Sequence, residues 1–312
     1  MAIEQAHIDM GHVDQRVDNF LLTCCKGVPK TRIYKALRTG EVRVNGRRVK
    51  PEYRLMLADV VRIPPFRVAL EQKTPHPDLR FKQGLEQAIL EETDTYIAIN
   101  KPSGIPVHGG TKVHLGLIEG LRQLRPRVSF MELVHRIDKE TSGVLLVAKK
   151  RSLLVVWQKM MQNQQVKKRY YALLSGEWPT RSPITVTAPL RKNVLASGER
   201  IVVVADDGKS AKTIFTPIEH FRGATLVEAR LITGRTHQIR VHAASIGHPV
   251  AGDRKYGNES FNRTLKRQGL TRLFLHAHSL AVVDGEDKHL RFTAPMPPEL
   301  KAVLSKLKAD AV

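Results

Sequence analysis

The densest concentration of reactive side chains lies between Leu133 and Gly143. His135, Arg136, Asp138, Lys139, Glu140, Thr141 and Ser142 crowd into this stretch, which ends on Gly143 before the apolar run Val144 to Ala148. A polar loop feeding a buried strand is a common way to present a side chain at a cleft. A carboxylate such as Asp138 can act there as a nucleophile or as a general base. Taken alone, Asp138 reads first as a capping or turn carboxylate paired with an arginine.

A second segment shifts that reading. Leu231-Ile232-Thr233-Gly234-Arg235-Thr236-His237-Gln238-Ile239-Arg240-Val241-His242 runs from a strand pattern through a glycine turn into a helix pattern. Arg235, near the expected helix start, is placed to clamp a carboxylate bidentately and favour its charged form. A Gly-punctuated loop, Gly247 to Gly257, follows. Nucleotide and metal chemistry find no matching pattern. Gly208-Lys209-Ser210 lacks the first glycine of a P-loop, its place being taken by Val203. His237 and His242, or His276 and His278, have poor zinc spacing on a helix, so these histidines are expected to pack, cap or touch phosphate. No cofactor and no metal are expected. A hydrolase cleaving a glycosidic bond with two flanking carboxylates would have only Glu140 as the close acidic neighbour of Asp138.

HRIDKETSG at 135–143 is joined, in order along the chain, by NKPSGIPVHGG at 100–110, VKKRYYALLSG at 166–176, LITGRTHQIRVH at 231–242, GHPVAGDRKYG at 247–257 and RLFLHAHSL at 272–280. Together these motifs resemble the RluA-type family of pseudouridine synthases over residues 89 to 300, with Ile137 where leucine is usual. With an S4-like front end, the resemblance is closest to RluC-like members, which act on large-subunit ribosomal RNA. It implies that Asp138 is the catalytic aspartate that starts cleavage of the uracil–ribose bond, that Arg235 pairs with it, and that Tyr170 stacks on the target uracil. Arg136 would fill the gap left when the nucleotide leaves its helix. Tyr171, on the opposite face of the same strand, is expected to be the core residue. Pseudouridine formation breaks N1–C1′ and makes C5–C1′ with no redox change, so it asks for neither metal nor cofactor. Whether Asp138 attacks the sugar, attacks the base or removes a ribose proton stays open. A monomer is the usual state of such enzymes.

The elements that must position these residues follow from the rest of the chain. In 312 residues, Lys plus Arg number 51 against 30 Asp plus Glu, a net charge of +21 that suits a polyanionic partner. Apolar runs are far shorter than the roughly 20 residues a membrane helix needs. The start, MAIEQAHIDMGHVDQ, has no basic region followed by an apolar one, and the two cysteines, Cys24 and Cys25, are adjacent and expected to be core thiols on a short helix. A cytoplasmic protein is expected, with no membrane attachment.

Residues 14–72 read as an S4-like RNA-binding domain. Val17, Phe20, Leu21 and Leu22 have helical spacing, and a second helix is expected from about Thr31 to Thr39, with Gly40 as its C-terminal stop. Val42 to Val49 alternates around Asn45-Gly46, a strong hairpin signal. Lys30, Arg32, Lys35, Arg38, Arg43, Arg47 and Arg48 would meet phosphates without reading bases. Proline-rich residues 73–87 read as linker, and 88–308 as the catalytic domain. There, strand runs at Tyr96–Ile99, Val144–Ala148, Tyr170–Leu174, Ile201–Val204 and Thr225–Leu231 outnumber helical stretches at His114–Gln123, Leu153–Gln164 and His237–Ile246. The expected class is α+β: a small S4-like domain plus a catalytic domain on a large mixed or antiparallel sheet flanked by helices. The expected partner is ribosomal RNA of the large subunit. Transfer RNA is the alternative substrate, and a non-catalytic RNA clamp for ribosome assembly is the alternative class.

Overall fold

The computed structural model describes residues 4–9, 12–25, 27–66, 78–109, 115–194, 199–283 and 289–309. Residues 67–77, which hold the end of the expected first domain and the start of the expected linker, and His114, the expected start of a helix, lie outside the described residues. The chain forms two compact units, Met1–His76 and Pro77–Val312.

The first unit runs β1 (Glu4–His7), α1 (Val17–Cys24), α2 (Lys30–Thr39), β2 (Arg43–Val44) and β3 (Val60–Ile63). Phe20 and Leu21 of α1 and Ile33, Ala36 and Leu37 of α2 bury one face of each helix against Val42, Val44 and Val61. Gly40 ends α2 in the left-handed region at φ 76°. Asn45 and Gly46 both have positive φ, as a type I′ turn requires, and Val44 bridges to Arg47. The strand pairing beyond that turn is not with residues 47–49: β2 pairs with β3, which also pairs with β1. Cys24 is exposed rather than in the core, and Cys25 is half-buried.

The second unit continues α3 (Leu79–Gln87), β4 (Ile89–Glu92), β5 (Tyr96–Lys101), α4 (Leu117–Leu124), β6 (Glu132–Leu133), β7 (Ser142–Ala148), α5 (Arg151–Gln162), β8 (Val166–Ser175) and β9 (Ile184–Thr187). It then runs β10 (Leu190–Val194), β11 (Arg200–Val204), β12 (Lys212–Phe221), β13 (Ala224–Leu231), α6 (Gln238–Ser245), α7 (Glu259–Arg267), β14 (Leu275–Val283), β15 (His289–Thr293) and α8 (Pro298–Ala309). Part of the expected linker is therefore helical: Asp78 caps α3 by accepting from Phe81 N at 2.6 Å, and Leu85 is fully buried.

Among the described residues, ten strands form one mixed sheet in the order β4-β5-β7-β14-β8-β13-β12-β9, with β6 on β7 and β15 on β14. The sheet is covered on both faces, and the period of two divides its side chains. Along β7, Leu145 and Val147 join one core with Tyr170, Ala172, Val227 and Ala229, while Val144, Leu146 and Ala148 join another with Trp157 and Phe292. β7 and β14 pair in parallel, with Ser142 opposite His276 and Gly143 opposite Ala277.

Two features fix that junction. Gly143 has φ +115°, and a Cβ there would run into the Ala277 backbone, meeting its nitrogen at 2.6 Å. Behind it, His276 is fully buried, with Nε2 3.1 Å from the Ala294 carbonyl and Nδ1 2.9 Å from Ser142 Oγ. A carbonyl only accepts, so Nε2 carries the proton, and the Ser142 hydroxyl donates to Nδ1 while accepting from Arg272 Nη2 at 2.7 Å. Burial, helped by Arg272, lowers the His276 imidazole to about 4.

Gly143→Ala is expected to destabilise the protein by about 1–3 kcal/mol or more, through overpacking and strain, read as a lower urea midpoint at unchanged slope. For His276, a depressed pKa means the unfolded chain binds the extra proton first as pH falls. Its contribution to stability should be complete above about pH 6.5 and decline toward pH 4 at up to about 1.4 kcal/mol per pH unit. An imidazole titration followed by NMR that centred near 6.5 would refute this.

Candidate functional site

Asp138 lies in the loop between β6 and β7, a fifth of its side chain exposed. The sequence predicts a turn here, and the turn is tied down from outside. Thr141 N donates to the Asp138 carbonyl at 3.1 Å, Gly104 N to Lys139 O at 2.9 Å, and Ser103 Oγ to Glu140 O at 2.6 Å. Below them Lys101, at the end of β5, is fully buried. Its Nζ donates to the carbonyls of Pro102, Ile105 and Lys139 at 2.8, 2.8 and 3.0 Å. Burial lowers this ammonium to about 7, while the three carbonyls give each of its protons an acceptor. On the other side His135 Nε2 accepts the Leu146 N–H at 3.2 Å, which requires a neutral ring, and burial lowers that imidazole to about 3.

The carboxylate faces a cleft of about 510 Å³. Arg136, Lys168, Tyr170, Arg235, His237 and Arg240 are among its lining residues. Tyr170 is buried on β8, and Lys168, two residues earlier, shares its face. Burial and the Asp138 carboxylate push the Tyr170 phenol above its usual value, and burial lowers the Lys168 ammonium. The expected order of burial along this strand is reversed: Tyr170 is the buried residue, and Tyr171 is half-buried and stacks on His278 with ring centroids 4.2 Å apart. Arg136 is exposed at the cleft.

The cation that meets Asp138 is Arg240, not Arg235. Arg240 Nη1 lies 3.5 Å from Asp138 Oδ2, while Nε and Nη2 donate to Asp253 at 2.6 and 2.8 Å. Arg235 is exposed and donates from Nε to the Ser210 carbonyl at 3.1 Å. The reason is local. His237 adopts the left-handed conformation (φ 54°, ψ 18°), so α6 begins at Gln238 and Arg235 falls in the preceding turn. Gln238 Oε1 accepts from Arg235 N and from Thr233 Oγ1, which fixes that turn with the Arg235 side chain outside it. Arg240 then sits one turn into the helix, facing inward. His237 Nε2 is 4.0 Å from Asp138 Oδ2, and burial lowers its pKa. Residue types alone do not single out Arg240, Asp253 and Lys101, and they read His237 only as a histidine that packs, caps or touches phosphate, although all four lie in the quoted motifs; the signal available is the second arginine of Gly234-Arg235-Thr236-His237-Gln238-Ile239-Arg240.

In the first unit Lys35, Arg38 and Arg48 line one groove of about 740 Å³ with Thr31, Tyr34 and Lys50. Lys30 and Arg47 are exposed away from it. Arg32 is held by Glu41, and Arg43 donates to the carbonyls of Gly40 and Gly46, so both are engaged within the unit.

A ten-stranded mixed sheet carrying a cleft lined by an aspartate, a buried tyrosine and an arginine facing that aspartate is an architecture of the pseudouridine synthase class. The comparisons agree. The pattern described as RNA pseudouridylate synthase matches residues 95–245, and the S4 domain matches residues 15–61. A protein of Haemophilus ducreyi named "Ribosomal large subunit pseudouridine synthase C" is 51% identical over 298 residues, covering 95% of this chain and 93% of its own. The protein of the same name from Escherichia coli strain K12 is 51% identical, covering 94% and 93%. Among solved structures, human RNA Pseudouridylate Synthase Domain Containing 4 superposes with a TM-score of 0.61 at 27% identity, over 73% of this chain and 96% of that one. The chain belongs to the RNA pseudouridylate synthase family.

The geometry separates the two arginines by experiment. Arg240→Met leaves the Asp253 carboxylate buried without its cation and should cost about 3–5 kcal/mol of stability, with loss of isomerase activity. Arg235→Met should lie within about 0.5 kcal/mol of wild type in urea denaturation, as exposed substitutions do.

Proposed function

We propose that this protein converts specific uridines of large-subunit ribosomal RNA to pseudouridine, with Asp138 as the catalytic residue. The observation that carries this reading is the cleft itself, in which Asp138, Arg240 and Tyr170 converge. The relatives named above as ribosomal large-subunit enzymes support the substrate, since each matches this chain almost end to end.

The reaction explains the arrangement. Uracil must leave C1′, turn and rejoin through C5 before water reaches the sugar. Tyr170 offers a buried aromatic floor on which an extruded base can stack. Asp138 starts the cleavage, as a nucleophile or by taking a ribose proton, and its loop is pinned so that the carboxylate is presented at a fixed place. Arg240 holds that carboxylate's orientation. Arg136, exposed at the cleft, occupies the space the nucleotide vacates. The groove carrying Lys35, Arg38 and Arg48 docks the phosphate backbone of a folded RNA. The isomerisation changes no oxidation state and adds no atoms, so it asks for neither metal nor cofactor. The protein is taken to work as a cytoplasmic monomer. Among the described residues, no helix is long and apolar enough to cross a membrane.

The test is chemical mapping of pseudouridine in ribosomal and transfer RNA from cells with and without the gene, and from cells carrying Asp138→Asn. Signal at discrete large-subunit uridines should vanish in both. The purified Asp138→Asn protein should turn over at least about 10³-fold more slowly, with RNA affinity little changed. Loss confined to transfer RNA would overturn the substrate. An Asp138→Asn protein as active as wild type would overturn the site.

A further inference from the structure

Tyr256 lies in the loop between α6 and α7, behind two of the residues that line the cleft, His237 and Arg240. Its hydroxyl is 2.9 Å from the Val202 nitrogen on β11 and 2.7 Å from His237 Nδ1. The backbone N–H must donate, so the phenol oxygen accepts from Val202. Its single proton then has one acceptor at hand, His237 Nδ1, and any other arrangement leaves that proton unpaired. His237 consequently carries its own proton on Nε2, the atom 4.0 Å from Asp138 Oδ2. Asp138, Arg240, Lys255 and Asp253 surround the ring, and burial favours its neutral form.

The same tyrosine touches the second group that faces Asp138. The Arg240 guanidinium lies over the Tyr256 ring, 5.0 Å from its centroid. His237 sits in the left-handed region, a conformation a side chain other than glycine keeps only where its surroundings over-determine it. Tyr256 N, moreover, donates to Asp253 Oδ1 at 3.1 Å, so the residue is locked to the carboxylate that holds Arg240. The β10–β11 hairpin is fastened at the same corner, with Lys255 Nζ donating to the Arg200 carbonyl at 3.2 Å beside the Val202–Tyr256 bond.

We propose that Tyr256 is a positioning residue for the isomerisation: its hydroxyl fixes His237 as the Nε2–H tautomer facing Asp138, its ring seats Arg240, and its bond to Val202 makes both depend on the seating of the β10–β11 hairpin. This inference rests on Asp138 being the catalytic residue. Removing the hydroxyl alone should misorient the carboxylate's neighbours without touching the groups that bind RNA.

The experiment compares wild type with Tyr256→Phe, which keeps the ring under Arg240, on a large-subunit RNA transcript under single-turnover conditions. The isomerisation rate should fall about tenfold, the worth of one hydrogen bond, while RNA affinity stays within about twofold. Imidazole ¹⁵N shifts should show one His237 tautomer in wild type and a mixture in the variant. His237→Gln, which can place an N–H near the position of Nε2, should retain more activity than His237→Ala. An unchanged rate in Tyr256→Phe, a rate loss matched by an equal loss of affinity, or a slower variant with an unchanged tautomer would each overturn the assignment. A wild-type protein with no isomerase activity would instead overturn the reading beneath it, which separates the two failures.

Discussion

The cleft around Asp138 depends on a buried guanidinium kept in place on three sides. Taking a cation and a carboxylate out of water costs several kcal/mol each and is offset only when geometry and further hydrogen bonds are good. Arg240 meets that condition. Two of its nitrogens form a fork on Asp253, which is itself buried and accepts the backbone N–H groups of Lys255 and Tyr256. Its face lies on the Tyr256 ring, and the remaining nitrogen is turned to Asp138. The planar fork makes this possible. Lysine, a point charge on a flexible stem, would reach one carboxylate or the other but would not fix an angle between them.

The opposite side of Asp138 is built from main chain. Lys139 O receives both the Lys101 ammonium and the Gly104 N–H, so the carbonyl next to Asp138 is held twice, by the end of β5 and by the turn that follows it. His135 anchors the approach to the loop on β7, and Gly143 closes its exit against β14. The loop is thus held mainly through its own carbonyls, with the His135 and Ser142 side chains fastening its two ends. That is what a carboxylate needs if a displacement of about 1 Å costs a large factor in rate.

The motif around Asp138, the strand bearing Tyr170 and the mixed sheet were legible because each has a local signature: a polar loop before an apolar run, and alternation of period two. Arg240 was harder. Two arginines stand five residues apart in one motif, and Arg235 would face Asp138 only if the helix began beside it. His237 in a left-handed conformation delays the helix by a residue or more, turning Arg235 toward Ser210 and Arg240 toward Asp138. No helix propensity marks such a residue, and the groups it meets, Tyr256 at 2.7 Å and Asp138 at 4.0 Å, come from distant parts of the chain. Helix α3 was hidden for a different reason: the prolines before it read as linker, and its one fully buried side chain, Leu85, gains meaning only against α4, whereas its cap, Asp78, is a purely local signal. Lys101, an ordinary surface residue by type, is buried because three carbonyls happen to converge there.

The position of the cleft on the sheet accounts for the division of labour within it. Tyr170 from β8, Leu231 from the end of β13 and Leu275 from the start of β14 line one cleft, so its floor is a sheet face and its walls are the Asp138 loop and the start of α6. A sheet packed on both faces gives little, and a base stacked on it is shielded from water on that side. The floor also differs chemically from the wall. Burial and the nearby carboxylate push the Tyr170 phenol further from ionisation, so at neutral pH it is an uncharged platform rather than a base. Lys168 beside it is pulled the other way by burial. Under the proposed function, proton transfer or attack then falls to Asp138, because the arginine, the histidine and the pinned loop hold that one carboxylate at the wall beside the floor.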